Sequence, residues 1–227
     1  EEFNTFFGIS SLSTVSADEI SKLSGPKIFQ LYFHKDRGLT KSMIQKCKEK
    51  NFDALALTVD TITGGNRERD LRTGFTSPPR FDLKNIMSYA FSFNWTLNYL
   101  FRKKFDLPFL SDYVGEGTSY AVSVSDYFST MLDQKMNWSD AEKIKKDWDG
   151  PFCLKGIMSV EDAKNAVKIG ASSSMLSNHG GRQLDGSRSP FDQLKEILDS
   201  VGGEIEVICD GGIRRGTHIL KALSLGA

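Results

Sequence analysis

Cysteine is scarce in this sequence, and its placement excludes two chemistries. The three residues are Cys47, Cys153 and Cys209. Their count is odd and no two are spaced as CxxC, which argues against a disulfide framework or a zinc knuckle and for a reducing compartment. No metal site is expected. Long hydrophobic runs are missing as well: no stretch of about 18 apolar residues occurs, so no obvious membrane-spanning helix is expected. The start, Glu1-Glu2-Phe3-Asn4, lacks the basic residues and apolar core of a secretory signal. Nor is there an excess of one charge. Lys+Arg and Asp+Glu both count 29, so nothing basic calls for nucleic acid and no acidic tail is present. The expected location is cytoplasmic.

What is present is ordinary for a globular protein: 227 residues, 39% hydrophobic and 26% charged. That length suits one domain, 1–227, near the ~250 residues of a (β/α)8 barrel. Both ends read as cuts. The first residues run at once into an apolar segment, and Leu225-Gly226-Ala227 stops just after a helical pattern, so the chain is expected to be a fragment.

Strand-like and helix-like segments alternate. Strands are expected at 5–9, 27–33, 54–60, 152–155, 173–177 and 206–209. Ser16 with Glu19 reads as a capping box, and so does Ser139 with Glu142. Helices are expected over 40–51, 139–148, 159–170, 190–201 and 217–225, the fourth starting at Pro190 and the third ending at Gly170. Strands separated by helices imply a parallel sheet. The strand ends carry Ser10, Tyr32, Asp60, Lys155, His179 and Asp210. A barrel puts its reactive groups on that face from many strands, whereas a doubly wound sheet uses one switch point. A barrel is therefore the better fit. Residues 62–138 are too long for a simple loop and read as an insertion or lid, centred on 76–125.

The densest chemical signal is Ser177-Asn178-His179-Gly180-Gly181-Arg182-Gln183. An imidazole can take a proton near neutral pH. A guanidinium can hold a carboxylate through two parallel hydrogen bonds. The glycines let backbone approach a ligand closely. Composition alone leaves a tight surface loop open as an alternative. A second signal is Asp210-Gly211-Gly212-Ile213-Arg214-Arg215-Gly216, which follows a strand and precedes a helix, where backbone N–H groups and an arginine can cradle an anion.

Residues 177–183 resemble the signature of the FMN-dependent L-2-hydroxy-acid dehydrogenase/oxidase family, which includes L-lactate dehydrogenase, mandelate dehydrogenase and glycolate oxidase. Further segments match in the same order: Phe29-Gln30-Leu31-Tyr32, Leu57-Thr58-Val59-Asp60-Thr61, Gly65-Asn66-Arg67-Glu68-Arg69-Asp70, Leu154-Lys155-Gly156 and residues 210–216. The resemblance implies FMN as cofactor and His179 as the base that removes a substrate proton. It implies Asp60 as the carboxylate behind that base, and Arg182 as the group gripping the substrate carboxylate. Tyr32 and Arg67 become further substrate contacts. Lys155 is placed beside the flavin ring, where a fixed cation stabilises developing negative charge. Ser10, Gln30 and Thr58 become ring contacts, Asp210 a ribityl contact, and Gly212 and Arg214 half of a phosphate site. Taken without the family, an inward Lys155 paired with a core carboxylate is the alternative.

The family pattern aligns the six strands with barrel strands 2 to 7, leaving the first and last missing and the insertion after the fourth. Leu12 stands where glycolate oxidase-like members carry tryptophan, which favours a lactate-like acid. The run Ser172-Ser173-Ser174-Met175 is more polar than the family's strand there and is expected to weaken local stability. Residues 85–101 hold no charge and present Ile86, Tyr89, Ala90, Phe93, Leu97, Leu100 and Phe101 on one helical face, flanked by Lys84 and Arg102-Lys103-Lys104. Aromatic and basic residues together suit a membrane surface at 85–104. Membrane-associated, quinone-linked members of the family carry an insertion in this region, so the resemblance implies quinone as electron acceptor and a peripheral place on the inner face of the cell membrane. The alternatives are a helix docked on the barrel or on a second subunit, an oxidase passing electrons to O2, and a barrel that binds a phosphate ligand without redox chemistry. Family members are often tetramers. His34 and His218 carry no motif and are expected on the surface or in helices, and Cys209 is expected to be buried.

Overall fold

Six parallel strands make one sheet in the order in which they occur along the chain. They are β1 (Phe7–Ser10), β2 (Lys27–Leu31), β3 (Ala54–Thr58), β4 (Phe152–Lys155), β5 (Ser173–Leu176) and β6 (Glu206–Cys209). The structure, a computed structural model, describes residues 5–62, 64–74, 83–101, 107–110 and 130–227. Sequential order leaves no switch point, so the winding is that of a (β/α)8 barrel and not of a doubly wound sheet. Among the described residues β1 pairs only with β2 and β6 only with β5, so the sheet does not close.

The apolar character of these strands comes chiefly from one buried face, on which the register lines up alternate residues of neighbouring strands. Phe29, Leu31, Leu55, Leu57, Phe152, Leu154 and Leu176 are all buried. Helices cover one face: α1 (Ala17–Ile20), α2 (Arg37–Glu49), α6 (Trp138–Trp148), α7 (Val160–Lys168), α8 (Pro190–Val201) and α9 (Gly216–Leu225), while α3 (Glu68–Thr73), α4 (Leu83–Phe91) and α5 (Phe93–Phe101) lie between β3 and β4 in sequence. α2 turns Leu39, Met43, Ile44 and Cys47 inward, one stripe at helical spacing. α8 does the same with Leu194, Ile197 and Val201.

Several local expectations are corrected. The capping box before α6 is formed by Asn137 and Asp140, not by Ser139 and Glu142. The Asn137 side chain accepts from the backbone of Ser139 and Asp140, and Asp140 accepts from the Asn137 N–H at 3.2 Å. The spacing of three is the same, but the asparagine competes successfully for the first free N–H groups. α2 starts at Arg37 because the Asp36 carboxylate accepts from Gly38 and Leu39. Residues 85–101 are not one helix face. Helix hydrogen bonding ends at Ser92, and the Thr96 hydroxyl donates to the Tyr89 carbonyl at 2.6 Å, a bond that competes with helix continuation.

His34 is fully buried, not on the surface. The chain folds residues 130–133 back along 33–35. The Lys35 N–H donates to the Met131 carbonyl, the Asp133 N–H donates to the Phe33 carbonyl, and Arg37 pairs with Asp133. Burial drives His34 down to about 4 despite the neighbouring Asp36 charge. Cys209 is only half-buried, because β6 has no neighbour on its outer side among the described residues. Ser174 is fully buried and its hydroxyl has no partner among the described residues, consistent with the expected local weakness. Much of the expected insertion at 76–125 lies outside the described residues. Its described part is the α4–α5 pair, where Tyr89, Trp95 and Tyr99 stack at 5.1 Å and 5.1 Å between successive rings. The outer residues Phe91 and Phe101 are 86% and 84% exposed.

Candidate active site

The register of the sheet decides which strand ends meet. Ser10 lies opposite Gln30, and Thr58 lies opposite Lys155. Because side chains alternate along a strand, these polar groups finish strands whose preceding residues are core.

Two hydrogen-bonded groups result. In the first, the Gln30 amide donates to the Thr58 hydroxyl at 3.0 Å and to the Tyr32 phenol at 3.3 Å. Ser10 also bonds the phenol. Burial, with the Asp60 charge second, pushes Tyr32 up to about 12, so the phenol keeps its proton and can donate. The charge of Arg67, which caps the start of α3, acts on the same phenol in the opposite sense.

The second group spans β3 to β6. His179 Nδ1 lies 3.1 Å from Asp60 Oδ2, with the two side chains 18% and 14% exposed. Ser177, fully buried, uses all of its hydroxyl capacity. It accepts from Lys155 Nζ at 2.9 Å and from the His179 N–H at 3.2 Å, and it donates to Asp210 Oδ2 at 2.8 Å. Lys155 Nζ also pairs with Asp210 at 2.5 Å. Burial would raise the Asp210 carboxyl, but the Lys155 bond and charge, the Ser177 bond and the His179 charge together hold it below its ordinary value. Lys155 therefore does pair with a carboxylate, and that carboxylate is itself one of the expected cofactor contacts.

His179 occupies a left-handed conformation, φ 59°, followed by Gly180 at 66° and Gly181 at 71°. A non-glycine residue there costs roughly 1–2 kcal/mol. The neighbouring glycines make the reversal feasible, and the Asn178 side chain accepts from the Gly181 N–H at 3.1 Å. Such strain collects at functional sites. On the other side of the pair, Gly156 leaves space for Asp60: a Cβ there would lie 2.7 Å from the Asp60 Cγ. The second carboxylate oxygen, Asp60 Oδ1, is buried and has no partner among the described residues.

Arg182 leaves the same turn as His179. It is 56% exposed and lies 3.7 Å from the Asp70 carboxylate. Leu12 is partly buried against the core. Gly212 is left-handed at φ 73°, and a Cβ there would meet nothing within 4 Å. Its carbonyl and the Arg214 N–H both lie 3.3 Å from His218 Nδ1. The Arg214 side chain is exposed, and among the described residues no bond ties it to Lys155 or Asp210. The structure thus joins Asp60, His179, Lys155 and Asp210, joins Ser10, Gln30, Thr58 and Tyr32, and leaves Arg214 apart. Ser177, Gly156, Gly65 and Gln183 carried no assigned role in the sequence. Each lies inside one of the motifs that carry the resemblance, and Ser177 had a further signal as a small polar residue closing a strand just before the histidine. Among the described residues no group of three His, Cys, Asp or Glu could hold a metal ion.

A family model described as FMN-dependent dehydrogenase matches residues 1–227. An L-lactate oxidase of Nostoc sp. is 39% identical over 224 residues, covering 96% of this chain and 56% of that protein. An L-lactate dehydrogenase of Acinetobacter baumannii is 36% identical over 226 residues, covering 97% and 58%. The crystal structure of the monotopic membrane protein (S)-mandelate dehydrogenase superposes with a TM-score of 0.88 at 31% identity, covering 98% of this chain and 58% of that one. The chain thus spans just over half the length of these relatives.

Proposed function

We propose a function from one premise: this chain belongs to the FMN-dependent dehydrogenase family. The complete protein oxidises a lactate-like L-2-hydroxy acid to the 2-oxo acid. The observation that carries this reading is the buried contact of His179 Nδ1 with Asp60 Oδ2 at 3.1 Å. A carboxylate only accepts, so the neutral imidazole carries its hydrogen on Nδ1 and leaves Nε2 as the basic atom. Nε2 takes a proton from the substrate, and Asp60 stabilises the imidazolium that results, as the aspartate does in a serine-protease triad.

The donor set fits FMN. A flavin ring presents oxygen and nitrogen acceptors along one edge, and Lys155, Gln30, Ser10 and Thr58 supply donors at the ends of β4, β2, β1 and β3. Asp210 offers an acceptor for ribityl hydroxyls. The open left-handed turn at Gly211 and Gly212, with Arg214 beyond it, fits half of a phosphate site. When bound, FMN supplies the two-electron acceptor. Lys155 holds a positive charge in a site shielded from water, the placement that best stabilises charge arising nearby.

For the substrate, Arg182 and Arg67 hold the carboxylate, Tyr32 donates to a substrate oxygen, and Leu12 leaves room for a small aliphatic group. For the acceptor, the exposed aromatic surface of α4 and α5 favours quinone at a membrane surface. No helix among the described residues is long and apolar enough to cross a membrane. A second reading, an oxidase using O2, is favoured by the name of the Nostoc relative. Hydrogen peroxide formed during turnover with L-lactate would select it.

The test is anaerobic addition of L-lactate to the complete FMN-loaded protein. The flavin bands bleach in the parent and bleach at least ~100-fold more slowly in His179→Gln, the scale of a lost general base. Bleaching at the parent rate in that variant would remove His179 from the role.

A further inference from the structure

We propose that Gly65 and Gln183 are positioning residues for Arg182, fixing where its guanidinium meets the substrate carboxylate. This rests on the reading above that Arg182 holds that carboxylate. The loop after β3 and the loop after β5 come from strands separated by β4, yet they touch at two places. The first is the Asp60–His179 pair. The second lies five residues after Asp60 and three to four after His179, at Arg182 and Gln183. There the Gly65 N–H donates to Gln183 Oε1 at 3.2 Å. A Cβ on Gly65 would lie 1.8 Å from the Arg182 carbonyl oxygen, 2.9 Å from its carbonyl carbon and 2.9 Å from Gln183 Oε1.

The first of those distances is far inside any real contact, and the obstacle is backbone, which cannot swing aside as a side-chain tip can. The glycine is not there for its torsion angles. Gly65 is not among the residues with positive φ, so alanine is acceptable to its own backbone. What alanine cannot do is leave Arg182 in place. The methyl group would push the carbonyl of residue 182 outward by more than an ångström, and the guanidinium would start from a displaced backbone. The Gln183 bond acts in the same direction: it holds the loop that carries Arg67 and Asp70 against the turn that carries Arg182.

A misplaced carboxylate clamp weakens acid binding before it weakens proton transfer, because the Asp60–His179 contact has its own supports. The probe is oxalate, titrated calorimetrically into the complete FMN-loaded protein, together with steady-state kinetics on L-lactate. Gly65→Ala is expected to bind oxalate about tenfold more weakly, and to raise KM by a similar factor with a smaller change in kcat. Gln183→Met keeps the bulk and loses the acceptor. It should move both readouts the same way by a smaller factor, and it decides the question if Gly65→Ala fails to fold. Arg182→Lys is measured beside them. If Arg182→Lys weakens oxalate while the other two bind it as the parent does, Gly65 and Gln183 have no positioning role. If Arg182→Lys leaves oxalate affinity unchanged, the carboxylate reading itself is wrong and the inference falls with it. An equal loss in kcat and KM terms with poor FMN retention would mark a merely structural loop and would also overturn the proposal.

Discussion

Gly156→Ala measures how tightly the Asp60 carboxylate is seated. Gly156 has φ +105°, where any side chain costs roughly 1–2 kcal/mol through its own backbone. A Cβ built there lies 2.7 Å from both the Cβ and the Cγ of Asp60 and 3.0 Å from Oδ1. Carbon atoms rest at about 3.5–4.0 Å, so Asp60 must retreat by about 1 Å. The His179 contact, now 3.1 Å, would then exceed a hydrogen-bond distance if the retreat is directed away from the ring. Overpacking adds about 1–3 kcal/mol, giving a total loss of about 2–5 kcal/mol. A displacement of about 1 Å at a catalytic group costs about 100-fold in rate. The control is Gly203→Ala: Gly203 has φ +90° and a Cβ there meets nothing within 4 Å, so that variant carries the torsional cost alone. Denaturant unfolding and anaerobic flavin reduction by L-lactate are measured on both. If Gly156→Ala loses no more stability than Gly203→Ala and reduces flavin at the parent rate, Asp60 has slack and the packing argument fails.

Ser177→Ala leaves Lys155, Asp210 and the His179 N–H each short of a buried partner, at a cost of about 1–3 kcal/mol. FMN should dissociate more readily from it, measured by fluorescence of released flavin. His34 imposes a pH dependence of stability. Its folded value of about 4 lies below the ordinary 6.5, so the unfolded chain takes up a proton first as pH falls. Stability is full above about 6.5 and declines towards about 4, by about 3 kcal/mol from this group. Denaturation of the parent at pH 7 and at pH 4.5 should show that decline reduced in His34→Gln, and an equal decline in both would refute it. Substituting Phe91, Phe93 and Phe101 together by serine should abolish co-sedimentation with anionic vesicles while leaving reduction of a soluble dye unchanged, because all three are exposed.

The sequence was most legible where period and burial agree. Five of the six strands are visible as apolar runs between helix signals, the polar β5 is visible by its place in the alternation, and the structure shifts their ends by only a few residues. His179, Asp60 and Lys155 could be named because the ordered motifs that carry them resemble those of the family; the residues alone left a surface loop and a core ion pair open. Contacts between loops distant in sequence were not legible. Ser177 became central only once β4, β5 and β6 were in register, bringing Lys155 and Asp210 to the same hydroxyl. Gly65 and Gly156 look like any loop glycine until a neighbouring backbone or carboxylate occupies the space their missing side chains would need. His34 was misread because its burial depends on residues 130–133, nearly a hundred positions later. The 85–101 segment was misread as continuous because its composition is uniform, and a single hydroxyl, that of Thr96, marks the break.

The two ends of the proposed site differ in how firmly they are held, and the difference has a physical cause. Asp60, Lys155, Ser177 with His179, and Asp210 follow four consecutive strands, and each has a partner at hydrogen-bond distance: Asp60 meets His179 across the end of β4, and Lys155, Ser177 and Asp210 meet one another. The low exposure of Asp60, His179, Ser177 and Lys155 strengthens their bonds and penalises any rearrangement that leaves one unmade, whereas Asp210 is 43% exposed. Arg214 follows β6, the last strand of the sheet, and its side chain is exposed. Proton transfer tolerates little displacement, whereas an anion can be held by a screened arginine that adjusts to it. The buried Asp60–His179 contact therefore places its order where the proposed proton transfer is least forgiving.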